Sequence, residues 1–425
     1  MTEVAHWKRM FTTFDRERSE RIADGLAVAL AASLPWSTSA TSILAVLWGI
    51  AVLPTLNVSA VRRTLLTAAG GLPVLFWLLA LAGMLWAVDV SMAERWDGLS
   101  PFHKLLVIPV LIVQFQRSER APWVLKGFLI SCGILLVLSW ILVFVPVLPA
   151  SWSKQGAVGV PVKDYIAQSG EFTFCAFVLF GLALWEPRRG YAIALVVLAL
   201  AFLANVFYVT ASRTPLVAVP ILLMLFAVKH LSWRGSFGVL LAAVVTAALV
   251  WSFAPSVQDN VFNLVKEIRN YQPEGARTRA GERLEFWRKS IGFVAEAPVT
   301  GHGTGSIRAL FRASVDGKTG MAGLASTNPH NQTLTVAIQL GLVGAAVLLA
   351  FWIAHLLLFT GTGLGAWIGF LIVAENMIGS LFNSHLFDFT QGWSYAVGVG
   401  VAAGAVLRRQ ANPVSGTIEV SPPRP

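Results

Sequence analysis

Asn328-Pro329-His330-Asn331-Gln332-Thr333-Leu334-Thr335-Val336-Ala337-Ile338-Gln339-Leu340-Gly341 is where a long polar segment gives way to a strongly apolar run. Asn328 has the side chain of a helix N-cap and Pro329 that of a first helical residue. That reading places His330 and Asn331 in the first turn, at the water-facing mouth of a membrane helix. Unpaired backbone N–H groups and the positive end of the helix dipole would then sit beside the histidine. Such a position attracts phosphate and disfavours the charged imidazole. A neutral histidine next to an anion site is what general-base catalysis needs. The plainer alternative is a polar anchor at the membrane surface.

The rest of the chain sets this junction in a membrane. Of 425 residues, 56% are hydrophobic and only 13% charged, with a mean hydropathy of +0.68. Soluble domains carry roughly twice that charge fraction. The composition therefore defines an all-α polytopic membrane protein. Cys132 and Cys175 both fall in apolar runs, which supports neither a disulfide framework nor a metal knuckle. The net charge of +10 first reflects membrane topology, so no nucleic-acid partner is expected. The mixed-charge stretch from Lys8 to Asp24 lacks a short apolar core with a small-residue cleavage site, so the first apolar span is expected to stay as an anchor.

Twelve apolar cores follow in order: Gly25–Leu34, Thr41–Leu56, Leu72–Val88, Leu105–Phe115, Trp123–Val147, Phe172–Trp185, Tyr191–Val209, Pro215–Val228, Phe237–Phe253, Thr333–Phe359, Leu364–Leu381 and Trp393–Leu407. A spanning helix needs about 17–25 residues, so several of these mark helices longer than themselves. With the N-terminus inside, the inner short loops carry Arg62, Arg63, Arg117, Arg120, Arg188, Arg189, Lys229 and Arg234, with Arg408 and Arg409 after the last span. The outer ones carry Arg95, Lys104, Lys154, Lys163 and Arg213. Ten against five puts both termini in the cytoplasm. The expected organisation is spans one to nine over 1–253, one large outer loop over 254–330, spans ten to twelve over 331–408, and a polar, Pro-rich, disordered tail over 409–425. Within the outer loop, Val261–Tyr271 and Gly281–Glu296 read as helices and Glu296–Gly305 as a turn-rich return.

Several side chains could carry chemistry at that outer face. Arg279 and Arg283 are four apart and share a helix face, Trp287 continues the stripe, and Arg288 and Lys289 follow. Guanidinium groups beside an interfacial aromatic suit a lipid diphosphate; the alternative is an interfacial helix resting on anionic headgroups. Ser212-Arg213-Thr214 forms a very short outer turn before Pro215, where an arginine reaches the mouth of the bundle or merely snorkels. Gln168, Lys163 and Asp164, on the outer loop before the sixth span, could join the same cavity. Asn331, Gln332, Gln168, Trp287 and Ser212 are weaker candidates for substrate contact than His330 and the arginines. Glu171, Glu375 and Asn376 lie at or inside spans, where polar groups face a cavity or a partner helix. There is no Asp-x-Asp, no His-x-x-x-His and no acid cluster, so no metal site and no cofactor is expected. Gly301-x-Gly-x-Gly305 is not a nucleotide loop, because no strand precedes it, and no Walker motif is present. The energy of any reaction must then come from the substrate, such as a diphosphate leaving group stabilised by arginines.

These residues resemble the bacterial O-antigen ligase, polymerase and protein O-oligosaccharyltransferase superfamily. The resemblance rests on His330-Asn331 with Gly341 ten residues after Asn331, on Ser212-Arg213-Thr214, and on Arg283 with Trp287 ahead of Pro298-x-x-Gly301-x-Gly303. It implies a metal-independent, membrane-embedded glycosyltransferase with a GT-C-like architecture in the bacterial inner membrane. The donor would be a glycan on undecaprenyl diphosphate, transferred at the periplasmic face. Carried over, His330 is the base for the acceptor hydroxyl and Arg213 and Arg283 bind the diphosphate. A single large loop before the histidine looks like the ligase, whose acceptor is lipid A–core. The polymerase and the protein oligosaccharyltransferase are the alternatives within the superfamily. Direct attack by the acceptor would invert the anomeric centre, since no paired carboxylates suggest a covalent intermediate. A flippase or transporter of lipid-linked glycans is the reading of another class. It would show charges through the whole membrane depth and repeated halves.

Overall fold

A computed structural model describes residues 16–145, 158–209, 214–253 and 255–412. Every regular element among them is helical. In chain order the α-helices are α1 (Arg16–Ser33), α2 (Thr38–Val52), α3 (Val58–Leu65), α4 (Ala68–Gly83), α5 (Met92–Leu99), α6 (Val107–Phe115), α7 (Ala121–Phe144), α8 (Tyr165–Trp185), α9 (Arg189–Tyr208), α10 (Thr214–His230), α11 (Trp233–Phe253), α12 (Pro255–Arg269), α13 (Arg279–Glu296), α14 (Ile307–Ser314), α15 (Gln332–Leu358), α16 (Leu364–Ser380) and α17 (Phe389–Ala411). Among the described residues, six stretches are long and apolar enough to cross a membrane: Thr38–Thr55, Met92–Phe115, Ala121–Phe144, Tyr165–Trp185, Arg189–Tyr208 and Gln332–Leu358. With its all-helical architecture, the chain is a polytopic membrane protein. The expected apolar cores lie mostly or wholly in helices, and α3 and α4 meet at a bend of 82°. α10 and α16 are shorter apolar helices.

Apolar side chains face outward over much of α2, α7, α9 and α11, as a lipid-facing surface requires, while polar groups turn inward and tie helices together. Trp48 donates to Gln114 (2.8 Å), whose amide donates to Asp24 (2.9 Å), joining α2, α6 and α1. His355 lies between the Tyr395 hydroxyl (2.8 Å) and the Ala69 carbonyl (2.9 Å), joining α15 to α17 and α4. These contacts fix the register of α15, the helix that begins just after His330.

α15 is broken at Gly341, where φ is 64° and ψ is −163°. In an uninterrupted helix the Leu342 and Val343 N–H groups would bond to the Ile338 and Gln339 carbonyls. Here those two rungs are open, and the turn 298–303 fills them. Leu342 N–H donates to Pro298 O (2.7 Å) and Val343 N–H to Val299 O (3.3 Å). Ile338 O and Gln339 O instead accept from His302 N–H (2.8 Å) and Gly303 N–H (2.9 Å). A Cβ on Gly341 would lie 2.1 Å from Val299 O, and one on Gly301 2.5 Å from Gly341 N, so glycine is required on both sides. The turn is pinned further by Thr304 N–H to Gly83 O (3.0 Å) and by Gly305 N–H to the Gln339 side chain (2.8 Å).

The polar segment between α11 and α15 thereby becomes a fixed cap. α13 and α14 share a small apolar core with α15, built from Phe286, Phe293, Ile307, Phe311 and Ile338. Arg312 pairs with Glu94 and holds α14 to α5. The expected helix at Gly281–Glu296 is α13, ending at the same residue, and the one expected at Val261–Tyr271 is α12.

Candidate functional site

The N-cap of α15 is Asn331, not Asn328. Asn331 has extended backbone angles (φ −156°, ψ 122°), its side chain accepts from Leu334 N–H (3.0 Å), and the helix starts at Gln332. Asn328 is occupied elsewhere: its Oδ1 accepts from His330 N–H (2.8 Å) and from the Ser384 hydroxyl (2.7 Å). That is an Asx-type turn, which competes with helix initiation. His330 therefore sits ahead of the helix in the left-handed region, at φ 55°. Histidine is among the residues enriched there, and such positions concentrate at functional sites.

The half-buried imidazole of His330 has defined partners. Nδ1 lies 3.0 Å from Asn383 Oδ1, and the ring stacks on Phe286 of α13 with centroids 6.2 Å apart and planes at 26°. The Asn383 amide donates from Nδ2 to Asp388 Oδ2 (2.7 Å) and also receives Asn328 Nδ2 at 3.3 Å. Burial holds His330 below its ordinary value of 6.5, and the nearby Arg283 guanidinium adds to this, while Asn383 and Glu282 oppose it. The imidazole is accordingly neutral at pH 7, the form that can accept a proton.

Arg283 is half-buried on α13 and lies close enough to His330 to act on its charge. One turn on, the Trp287 indole N–H is buried without a hydrogen-bond partner among the described residues. Arg288 is paired on its own helix. It makes two bonds to Glu285 (2.9 and 2.7 Å), whose carboxylate is fully buried and also receives the Tyr271 hydroxyl. Burial would raise the Glu285 carboxyl, but the bonds from Arg288 and Tyr271 outweigh it and hold it below its ordinary value. Arg288 is thus tied within α13 itself, while Tyr271 reaches the same carboxylate from the segment ahead of the helix. Lys289 is a strut out of the helix, donating to Ala322 O (2.6 Å) and Leu324 O (3.2 Å).

Two glutamines also turn out to be ties. Gln168 lies inside α8 rather than on the preceding loop, whose last residue, Asp164, is the N-cap. Its amide donates to Ser139 (3.2 Å), Gly159 O (3.3 Å) and Asn205 (3.1 Å), because the first turn of α8 faces the bundle. Gln332 is fully buried, and its Oε1 accepts from Leu386 N–H (3.0 Å) and Phe387 N–H (3.3 Å). Asn331 donates from its side chain to Leu381 O (3.2 Å). Asn331 and Gln332 together hold the α16–α17 connection against the start of α15. Ser212 and Arg213, and the side chain of Arg279, lie outside the described residues, as does Lys154.

Asn383 and Asp388 were not among the sequence candidates. Their signal is the polar break Asn383-Ser384-His385 followed by Asp388, in the short connection between α16 and α17. Both also line a polar recess of about 590 Å³ with Trp36, Lys163, Asp164 and Phe389. A second cavity, of about 890 Å³, runs along α17 from Gln391 to Arg409. Glu171, Glu375, Asn376 and His385 line that cavity, and His330 does not. Among the described residues no group of three or more His, Cys, Asp or Glu side chains is placed to hold a metal ion.

A bundle of apolar helices with a neutral histidine held against an arginine-bearing cap defines a multi-pass membrane protein with a polar site at one end of the bundle. Residues 198–349 match the family model described as O-antigen ligase, a match that supports membership of the O-antigen ligase superfamily. The matched segment runs from within α9 through His330 and the break at Gly341. No curated protein matches the chain. The family implies a glycosyltransferase-like enzyme in a membrane environment, with lipid-linked glycan and lipid A–core substrates in general.

Proposed function

We propose that the protein is an O-antigen ligase that transfers a glycan from undecaprenyl diphosphate to lipid A–core at the periplasmic face of the bacterial inner membrane. The observation that carries this reading is the neutral, half-buried His330 with Nδ1 against Asn383, under the influence of Arg283. In the proposed step His330 Nε2 takes the proton of the acceptor hydroxyl as its oxygen bonds to the anomeric carbon. The bond from that carbon to the diphosphate oxygen breaks, and its electron pair leaves with undecaprenyl diphosphate. Attack from the face opposite the leaving group inverts the anomeric centre. Arg283, joined by Arg213 and Arg279, neutralises the departing diphosphate, and the Trp287 N–H supplies a further donor. The topology that goes with this has twelve spans, both termini in the cytoplasm, and the cap over 254–330 outside.

The test is transfer by the purified protein in detergent, with undecaprenyl-diphosphate glycan as donor and lipid A–core as acceptor. Product on lipid A–core that disappears in His330→Ala, with membrane insertion intact, is expected. Lengthened donor chains without ligation would make the protein a polymerase. Lipid moved without a new glycosidic bond would make it a transporter. Transfer is expected to survive EDTA, and loss that added divalent metal restores would overturn the metal-independent mechanism.

A further inference from the structure

We infer that Asn383, oriented by Asp388, is a positioning residue that holds His330 in the Nδ1–H tautomer and so leaves Nε2 as the basic nitrogen. The inference rests on His330 being the base.

The direction of each hydrogen bond follows from what the groups can do. An ionised carboxylate only accepts, so the end of the Asn383 side chain 2.7 Å from Asp388 Oδ2 must be its NH₂ group. That leaves the amide oxygen toward His330 Nδ1 at 3.0 Å, and an oxygen there requires a proton on Nδ1. Asn328 Nδ2, which reaches the same oxygen at 3.3 Å, is also a donor, so the second contact agrees with the first. Among the described residues Nε2 has no hydrogen-bond partner, and it is the nitrogen left for the acceptor hydroxyl. A neutral ring has one donor and one acceptor nitrogen, and which is which is set by the bond the other one makes.

The carboxylate is itself held in place. Lys104 donates to the backbone carbonyls of Phe387 (3.0 Å) and Asp388 (2.7 Å), and Asp388 forms the start of α17. The charged groups facing Asp388 are Lys104 from the turn before α6, and Asp164 and Lys163 from the segment before α8. Burial pushes the Asp388 carboxyl up to about 6, against Lys104 and with Asp164, so it remains an acceptor at neutral pH. His330 faces Arg283 and Glu282 from α13. A neutral amide between ring and carboxylate orients the imidazole without placing a full negative charge on it, which would favour the imidazolium and remove the base.

The decisive contrast uses one near-isosteric change at Asn383 and two at Asp388. Asn383→Leu removes the acceptor and is expected to lower kcat by about 10–100-fold, with the donor KM within about twofold of wild type. Asp388→Leu is expected to do the same, whereas Asp388→Asn keeps an accepting oxygen and should retain most of the rate. The direct readout is the ¹⁵N spectrum of imidazole-labelled protein, with the His330 signal assigned by its loss in His330→Ala. Wild type and Asp388→Asn should show a protonated Nδ1, and Asn383→Leu a shift toward protonated Nε2. An unchanged tautomer in Asn383→Leu, or equal rates for Asp388→Asn and Asp388→Leu, overturns the inference while an inactive His330→Ala keeps the base. An active His330→Ala instead removes the base itself. Should Asn383→Leu fail to fold, the Asp388 pair and the wild-type spectrum decide alone.

Discussion

Replacing Gly341 by alanine tests whether the opened helix is what seats the cap. The backbone there (φ 64°, ψ −163°) lies in a region essentially reserved for glycine, which costs another residue about 1–3 kcal/mol. The added Cβ would also meet Val299 O at 2.1 Å, a backbone atom that moves only with the whole turn. The alternative is for α15 to close its two open rungs. Leu342 and Val343 N–H then recover the Ile338 and Gln339 carbonyls, and the turn 298–303 loses all four cross-links. At about 0.5–1.5 kcal/mol per bond the turn forfeits about 2–6 kcal/mol, part of which the repaired helix returns. A net loss of two bonds, about 1–3 kcal/mol, is expected, expressed as release of the turn rather than global unfolding. Amide hydrogen exchange reads this directly, because His302 and Gly303 donate into the break and should be protected only while it is filled. Released, α13 no longer holds Phe286 and Arg283 against His330, and transfer should fall at least about tenfold. The control is Gly292→Ala on α13, where a Cβ meets nothing within 4 Å, and which should gain about 0.5–1 kcal/mol. Unchanged exchange at His302 and Gly303 in Gly341→Ala, with an unchanged unfolding midpoint, would refute the reasoning.

Arg283→Ala is expected to raise the donor KM by about 10–100-fold, as loss of charge-assisted bonds does, and Arg283→Lys by less, because ammonium keeps charge but not the fork. Removing that cation also lets the His330 value rise, so the acid limb of the transfer rate should move to higher pH in Arg283→Ala and stay put in Arg283→Lys. Glu285→Ala leaves Arg288 and the Tyr271 hydroxyl without their buried acceptor and should cost about 2 kcal/mol in thermal unfolding with the donor KM of surviving protein unchanged. Because the Glu285 carboxyl is held below its ordinary value, its contribution is present above that value and lost as pH falls through the lowered one. The unfolding midpoint of Glu285→Gln should therefore vary less between pH 7 and pH 4 than that of wild type.

What was legible in the sequence followed from periodicity and composition. The apolar cores announce the helices because a lipid-facing helix has no alternative way to pair its backbone. The end of α13 at Glu296 was legible because Pro298 and the glycines after it cannot continue a helix. The cap at Asn328 was misplaced because two candidates, Asn328 and Asn331, stand three residues apart and both suit an N-cap. Ser384, fifty-six residues away, decided between them by bonding to the Asn328 side chain. Gln168 and Arg288 turn out to be engaged for a similar reason. A polar side chain near a membrane mouth reads as available until the structure supplies the Asn205 amide or the buried Glu285 carboxylate that occupies it.

The shifted cap changes the physical account of the site. With His330 in the first turn, the amide groups and dipole of α15 would have supplied both the anion site and the low basicity of the ring. With Asn331 as cap, its own side chain already takes the Leu334 N–H, and His330 spends its N–H on Asn328. The lowered value of the imidazole then comes first from burial against Phe286 and next from Arg283, both features of α13. Diphosphate recognition on this reading also belongs to α13, whose seat depends on the glycine break rather than on the start of α15. Gly341 and His330 are thus parts of one arrangement. The break holds the turn, the turn ends α13, and α13 brings to the histidine both the ring that desolvates it and the cation that keeps it neutral.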